Sequence, residues 1–174
     1  ESDRRYSGSR ICDSMEQSYD LVLCCVPIDG YDIAKLFNNK FTHISPCWFQ
    51  IRRRSSGDLY VAGTQDIDQS WMTAVRSNCV SRCPKIVPRF VWEAERLTWD
   101  DVGNLGKLIA DTIQSNNLDG LVFELGFSEG ILPIIESIRK AIQEKELILT
   151  VHPQSLDSVA SGPSLLSKIN SLVD

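Results

Sequence analysis

The side chains of this 174-residue sequence that could do chemistry are few and scattered: two histidines, His43 and His152, six cysteines, and carboxylates such as Asp119 and Glu124 set in an apolar run. Cys79 and Cys83 form a C-x-x-x-C pair. A metal site needs further ligands at matched spacing, and neither histidine lies near the pair in sequence, so no metal and no cofactor is expected. Cys24 and Cys25 are adjacent in an apolar run, where they would point to opposite faces of a strand and read as buried thiols. An even cysteine count also suits a disulfide framework, whose pairing stays open. Phosphate chemistry has no support, because neither G-x-G-x-x-G nor G-x-x-x-x-G-K-[ST] occurs. A G-x-S-x-G nucleophile elbow is also absent. The run Arg52, Arg53, Arg54 reads as a solvated loop edge rather than a binding patch.

Composition narrows the class. Apolar residues make 43% and charged residues 24%, globular values that exclude a disordered or collagen-like chain. The net charge of −5 argues against a nucleic-acid partner. No apolar run approaches the ~20 residues of a membrane span. Residues 1–18 form a polar N-terminal segment, and 19–174 form the domain. The stretch Glu1–Arg10 has no apolar signal-peptide core, and without an initiator Met it reads as the start of a trimmed chain.

The elements that must position these residues alternate. Apolar runs at Leu21–Val26, Thr42–Phe49, Lys85–Val91, Leu118–Leu125 and Glu146–Val151 predict strands covered on both faces. Helical patterns at Tyr31–Phe37, Gln69–Asn78, Trp99–Ser115, Gly130–Glu144 and Ser164–Leu172 lie between and after them. Asp66 or Asp68 is placed to cap the second, and Thr98 with Asp101 to form a capping box on the third. Ile131, Ile134, Ile135, Ile138 and Ile142 share one face of the fourth. Such alternation predicts an α/β fold with a parallel sheet. Pro46 and Pro88 interrupt two strand runs and mark bulges or strand ends. Residues 52–63 read as a hairpin excursion. Five parallel strands fit an open doubly wound sheet or part of a barrel, and a complete (β/α)8 barrel needs roughly 250 residues.

The fourth strand carries the most informative run, Leu118-Asp119-Gly120-Leu121-Val122-Phe123-Glu124-Leu125-Gly126. It resembles the signature strand of family 18 chitinases, D-G-x-D-x-D-x-E. Asp119 and Gly120 are kept, and Glu124 stands at the motif's last aspartate. Val122 replaces an aspartate, and Gly126 stands at the catalytic glutamate. Alternation puts Gly120, Val122, Glu124 and Gly126 on one face. The segments Gly30-Tyr31-Asp32, Lys40–Pro46, Asp68–Met72 and Lys85–Arg89 are similar to a divergent, chitinase-like branch of glycoside hydrolase family 18, from about Leu21 to the C-terminus. The resemblance implies a partial TIM (β/α)8 barrel, about the first five βα units, with open sheet edges.

Family 18 enzymes cleave N-acetylglucosamine polymers with the substrate's own acetamido oxygen as nucleophile. One protein acid must still protonate the leaving oxygen. Gly126 has no side chain to do so, and the third-strand S-x-G-G pattern is replaced by Pro88-Arg89-Phe90-Val91-Trp92. The resemblance therefore implies a non-catalytic, lectin-like protein that binds chito-oligosaccharides or related glycans. It implies a secreted or lysosomal location. A weak glycosidase using Glu124 or Glu129, and a protein-interaction module with a vestigial sugar site, are the alternatives. The expected saccharide contacts are Trp48, Arg89, Trp92, Glu124 and His152. Trp48 and Trp92 fall near the C-terminal ends of the second and third strands, where a ring face can stack on a sugar or pack in the core. Glu124 is either a sugar acceptor or a buried carboxylate paired with Arg89.

Overall fold

A computed structural model describes residues 22–24, 28–77, 79, 83–95, 97–126, 128, 130–151 and 162–174. The chain is an α/β protein. Its elements run β1 (Val22–Cys24), α1 (Ile28–Leu36), β2 (His43–Ser45), β3 (Phe49–Arg53), β4 (Leu59–Ala62), α2 (Gln69–Ser77), β5 (Lys85–Ile86) and β6 (Arg89–Trp92). They continue with α3 (Trp99–Ser115), β7 (Gly120–Glu124), α4 (Ile131–Ile142), β8 (Glu146–Thr150) and α5 (Gly162–Ile169).

The two predicted strands that contain proline each fall into two pieces. β2 stops at Ser45 and β3 restarts at Phe49; β5 stops at Ile86 and β6 restarts at Arg89. Proline has no N–H to give the ladder. The register shows what happens at the break. His43 faces Lys85, an offset of 42, whereas Phe49 faces Phe90, an offset of 41. One extra residue is therefore absorbed between β2 and β3, as in a β-bulge. Backbone bonds carry the pairing across it: Val87 N–H donates to Ile44 O at 2.9 Å and Arg89 N–H to Pro46 O at 2.8 Å. On the far side, Asp119 N–H donates to Ile86 O at 3.0 Å.

The parallel strands thus lie side by side in chain order, β1, β2/β3, β5/β6, β7, β8. This is winding in one direction, without the reversal of a doubly wound sheet. The hairpin expected over residues 52–63 is present, with β4 pairing antiparallel to β3. The outer edge of β8 is engaged at one point: Asp174 N–H donates to Leu147 O at 3.0 Å, and Leu147 N–H donates to the Asp174 carboxylate at 2.9 Å.

Alternation separates the two faces of the sheet. Ile44, Phe49, Ile51, Ile86, Phe90, Leu121, Phe123 and Leu147 join the helices in one buried cluster. The five isoleucines of α4 all enter it. α3 begins where the sequence places it. Asp101 accepts from Thr98 N–H and Thr98 Oγ1, both at 2.7 Å, and pairs with both terminal nitrogens of Arg53 at 3.0 and 2.8 Å. The Arg53 guanidinium, with Thr98 behind it, holds the Asp101 carboxyl well below the usual carboxylate range. α2 is capped by Asp68, which accepts from Trp71 N–H at 2.9 Å. No described helix is long and apolar enough to cross a membrane.

Candidate functional site

The face opposite the helices carries Gly120, Val122 and Glu124. Arg89 sits beside Val122, Val91 beside Glu124, and Gly120, Val122 and Glu124 beside Glu146, Ile148 and Thr150. At the C-terminal end of this inner face, Arg89 and Glu124 form an ion pair, with side chains 26% and 35% exposed. A second pair, Arg52 to Glu93 at 2.8 Å, joins the last pleat of β3 to the residue that follows β6. Gly126 follows β7 in the open, and a Cβ built there meets nothing within 4 Å. Two partly hydrated cation–carboxylate pairs offer donors and acceptors side by side, a surface able to exchange hydrogen bonds with hydroxyl and amide groups of a ligand.

The N-terminal end of the same face is built differently. Glu146 on β8 forms an ion pair with Lys85 on β5, and its carboxylate lies 3.8 Å from Nε2 of His43 on β2. The His43 side chain is 8% exposed and that of Glu146 16%. Glu146 can reach them because β7, which lies between, presents only Gly120. A Cβ at Gly120 would lie 2.2 Å from the Glu146 carbonyl oxygen. Three strand spacings separate β2 from β8, about 14 Å on a flat sheet. Side chains that stand perpendicular to such a sheet would not meet, so the inner face is strongly concave.

The other motif residue also has a structural task. Asp119 lies on the helix-facing row. Its Oδ2 accepts from Ile86 N–H at 2.8 Å and from Arg76 of α2 at 2.7 Å. The Asp-Gly pair of the motif thus ties β7 to β5 and α2, and lets β8 approach.

The aromatic expectations need correction. Trp48 is 2% exposed. Its indole N–H donates to the Tyr31 hydroxyl at 2.7 Å, and its ring meets Phe49 and Trp71 edge-on, at centroid distances of 6.1 and 5.9 Å. A stacking platform needs an open ring face, so Trp48 is a core residue between β2, α1 and α2. Trp92 pairs in register with Ile51 on the helix-facing row and packs, half-buried, against the core. The proline break explains Trp48: the chain turns at the bulge and places the ring among the helices. Of the five expected contacts, Arg89 and Glu124 come together, Trp48 and Trp92 lie on the other side of the sheet, and His152 lies outside the described residues, as does Glu129.

Sequence reasoning missed the Arg52–Glu93 pair, because it read the arginine run as a loop edge. The signal lay in the expected hairpin, which sets that run beside the end of β6. Of the cysteines, whose pairing stays open in the sequence, Cys79 and Cys83 form a disulfide. Among the described residues no group of three or more His, Cys, Asp or Glu side chains could hold a metal ion. No family model matches this sequence.

Proposed function

We propose that this chain is the first five βα units of a family 18-like (β/α)8 barrel and that it binds glycans without cleaving them. Support for the barrel comes from the sequential strand order and from the concavity that brings His43 and Glu146 within 3.8 Å. The observation that carries the binding reading is the Arg89–Glu124 pair, held half-exposed at the C-terminal end of the strands, the end at which barrels bind their ligands. The position that would hold a catalytic acid is Gly126. The ligand class is chito-oligosaccharides or related glycans, recognised by polar contacts rather than by stacking on Trp48. A secreted or lysosomal location suits the Cys79–Cys83 disulfide, since such bonds persist in oxidising compartments.

The test is calorimetric titration with N-acetylglucosamine oligomers from dimer to hexamer. Arg89→Ala is expected to weaken binding at least tenfold, as loss of a charge-assisted hydrogen bond does. The burial of Trp48 favours a second reading, a protein-interaction module whose sugar site is vestigial. Absence of heat with every oligomer, from a folded sample, would select it.

A further inference from the structure

The N-terminal end of the concave face holds the only histidine among the described residues, set between charges of both signs. Nδ1 of the His43 ring lies 3.0 Å from the Thr42 hydroxyl, and Nε2 is turned toward Glu146, 3.8 Å from Oε2. The other oxygen of that carboxylate, Oε1, takes the Lys85 ammonium. Glu146 of β8 is therefore forked between two strands, one oxygen toward β5 and one toward β2. Among the described residues, β7 contributes Gly120 here, and β1 sets Val22 in register with His43, so neither adds a charge. Asp174 and Arg139 complete the charged surroundings. Burial pushes the Asp174 carboxyl up, while Leu147 N–H, Arg139 and Lys85 together hold it low.

The 3.8 Å separation is about 1 Å longer than a charge-assisted N–H···O bond. A neutral ring gains little by closing that gap. A protonated ring donates from both nitrogens, and it meets a carboxylate whose side chain is only 16% exposed. Lys85 opposes the added positive charge. Its side chain is 40% exposed, however, so water and salt screen it more than they screen the His43–Glu146 contact. The balance of position and exposure favours closure of the contact once the ring is charged.

We infer that His43 and Glu146 form an acid-closed clamp: when the ring takes a proton, Nε2–H bonds to Glu146 Oε2 and ties β2 to β8 across the concave face, while Lys85 keeps β5 on the other oxygen. Histidine changes charge near pH 6.5 in its ordinary state, between neutral surroundings and those of an acidic compartment such as a lysosome. The inference is independent of the glycan reading, since no ligand takes part. A bond made only in the folded, protonated chain adds stability below about pH 6.5 that is lost as pH rises.

Proton NMR of the full chain follows the ring signals of the two histidines in the sequence from about pH 8 to 5, with His152→Gln to assign them. The His43 titration midpoint is expected to rise in Lys85→Met, which removes the opposing charge, and to fall in Glu146→Gln. The two variants should differ by about one pH unit or more. The urea midpoint of the unmodified chain should rise between about pH 7.5 and 5.5, and His43→Gln should abolish that rise while His152→Gln keeps it. A His43 ring that does not titrate above about pH 5 overturns the clamp, as does a midpoint that Glu146→Gln leaves unchanged. A rise in the urea midpoint that survives in His43→Gln also overturns it. If His43→Gln fails to fold, the comparison of Lys85→Met with the unmodified chain decides: a higher midpoint supports the clamp and an equal one overturns it.

Discussion

The two ends of the concave face use the same chemistry in different surroundings. At the N-terminal end, the Glu146 carboxylate reaches across Gly120 to His43 and Lys85; the His43 and Glu146 side chains are 8% and 16% exposed, while Lys85 keeps 40% of its surface in solvent. At the C-terminal end, Arg89–Glu124 and Arg52–Glu93 keep between 26% and 48% of their side-chain surface exposed. An exposed ion pair contributes about 0–1 kcal/mol, because water competes for both partners. Removing one member of a buried pair costs about 3–5 kcal/mol, because the other is left without solvation. One end therefore holds strands together, and the other is free to trade its hydrogen bonds for those of a ligand. A single glycine makes the difference: any side chain at position 120 would occupy the path that Glu146 takes.

Gly120→Ala is the sharpest way to break this contrast and should have the largest effect. The new Cβ would meet the backbone of β8, where no side-chain rotamer can yield. We expect a loss of about 4 kcal/mol or more, or failure to fold. An unchanged denaturant midpoint for Gly120→Ala would show that β8 does not approach β7 as described. The next test compares the two ends directly. Glu146→Gln should destabilise the chain by about 2 kcal/mol, between the buried and exposed limits because Lys85 stays partly solvated, and Glu124→Gln by less than about 1 kcal/mol. Equal costs would remove the distinction between the two ends.

An intermediate effect is expected on the helix side, at Asp101. Arg53 and Thr98 hold its carboxyl below the ordinary value in the folded chain. The folded state therefore releases this proton more readily than the unfolded state does. The stabilisation is fully present above about pH 4, the ordinary aspartate value, and is lost as pH falls toward the depressed folded value. Asp101→Ala should cost about 2 kcal/mol at pH 7, from the lost cap and the unpaired guanidinium partner. It should also flatten the decline in stability between about pH 4 and 2. An acid-unfolding profile that keeps its slope in Asp101→Ala would move that proton uptake to other carboxylates.

Local signals were legible where one residue decides the outcome. Thr98 and Asp101 fix the start of α3, and the isoleucine spacing fixes the buried face of α4. The pairing of Arg89 with Glu124 could be read from opposite charges on neighbouring strands. Three things could not be read. Pro46 and Pro88 mark the breaks in the runs 42–49 and 85–91, but an apolar pattern does not show which run absorbs the extra residue, here the first. A tryptophan at a strand end has the same pattern in a barrel mouth as in a core, and Trp48 is assigned to the core only by Tyr31 and Trp71, which approach it from two helices. The contact of His43 with Glu146 depends on curvature summed over three strand pairs, to which no local sequence window is sensitive.

The smallest effect is expected at Gly126, and it bears on catalysis. Glutamate there would have room, since a Cβ meets nothing within 4 Å. Gly126→Glu should change stability by less than about 0.5 kcal/mol. It should also leave the chain without hydrolysis of chito-oligosaccharides between about pH 4 and 8. A general acid must sit within about 3 Å of the leaving oxygen and hold a proton at working pH. In a family 18-like strand, neighbouring carboxylates help to set that protonation through like-charge proximity. Here Val122 is a buried apolar residue, 4% exposed, and cannot serve. Glu124 is engaged by Arg89, whose positive charge offsets the like-charge influence that a new acid would need. The introduced glutamate would thus stand in open solvent, without a neighbouring carboxylate to poise it and without packing to fix its position. Release of N-acetylglucosamine by Gly126→Glu would show that a carboxyl group at this position suffices for turnover. Turnover by the unmodified chain that disappears in Glu129→Gln would instead assign the proton transfer to the loop after β7.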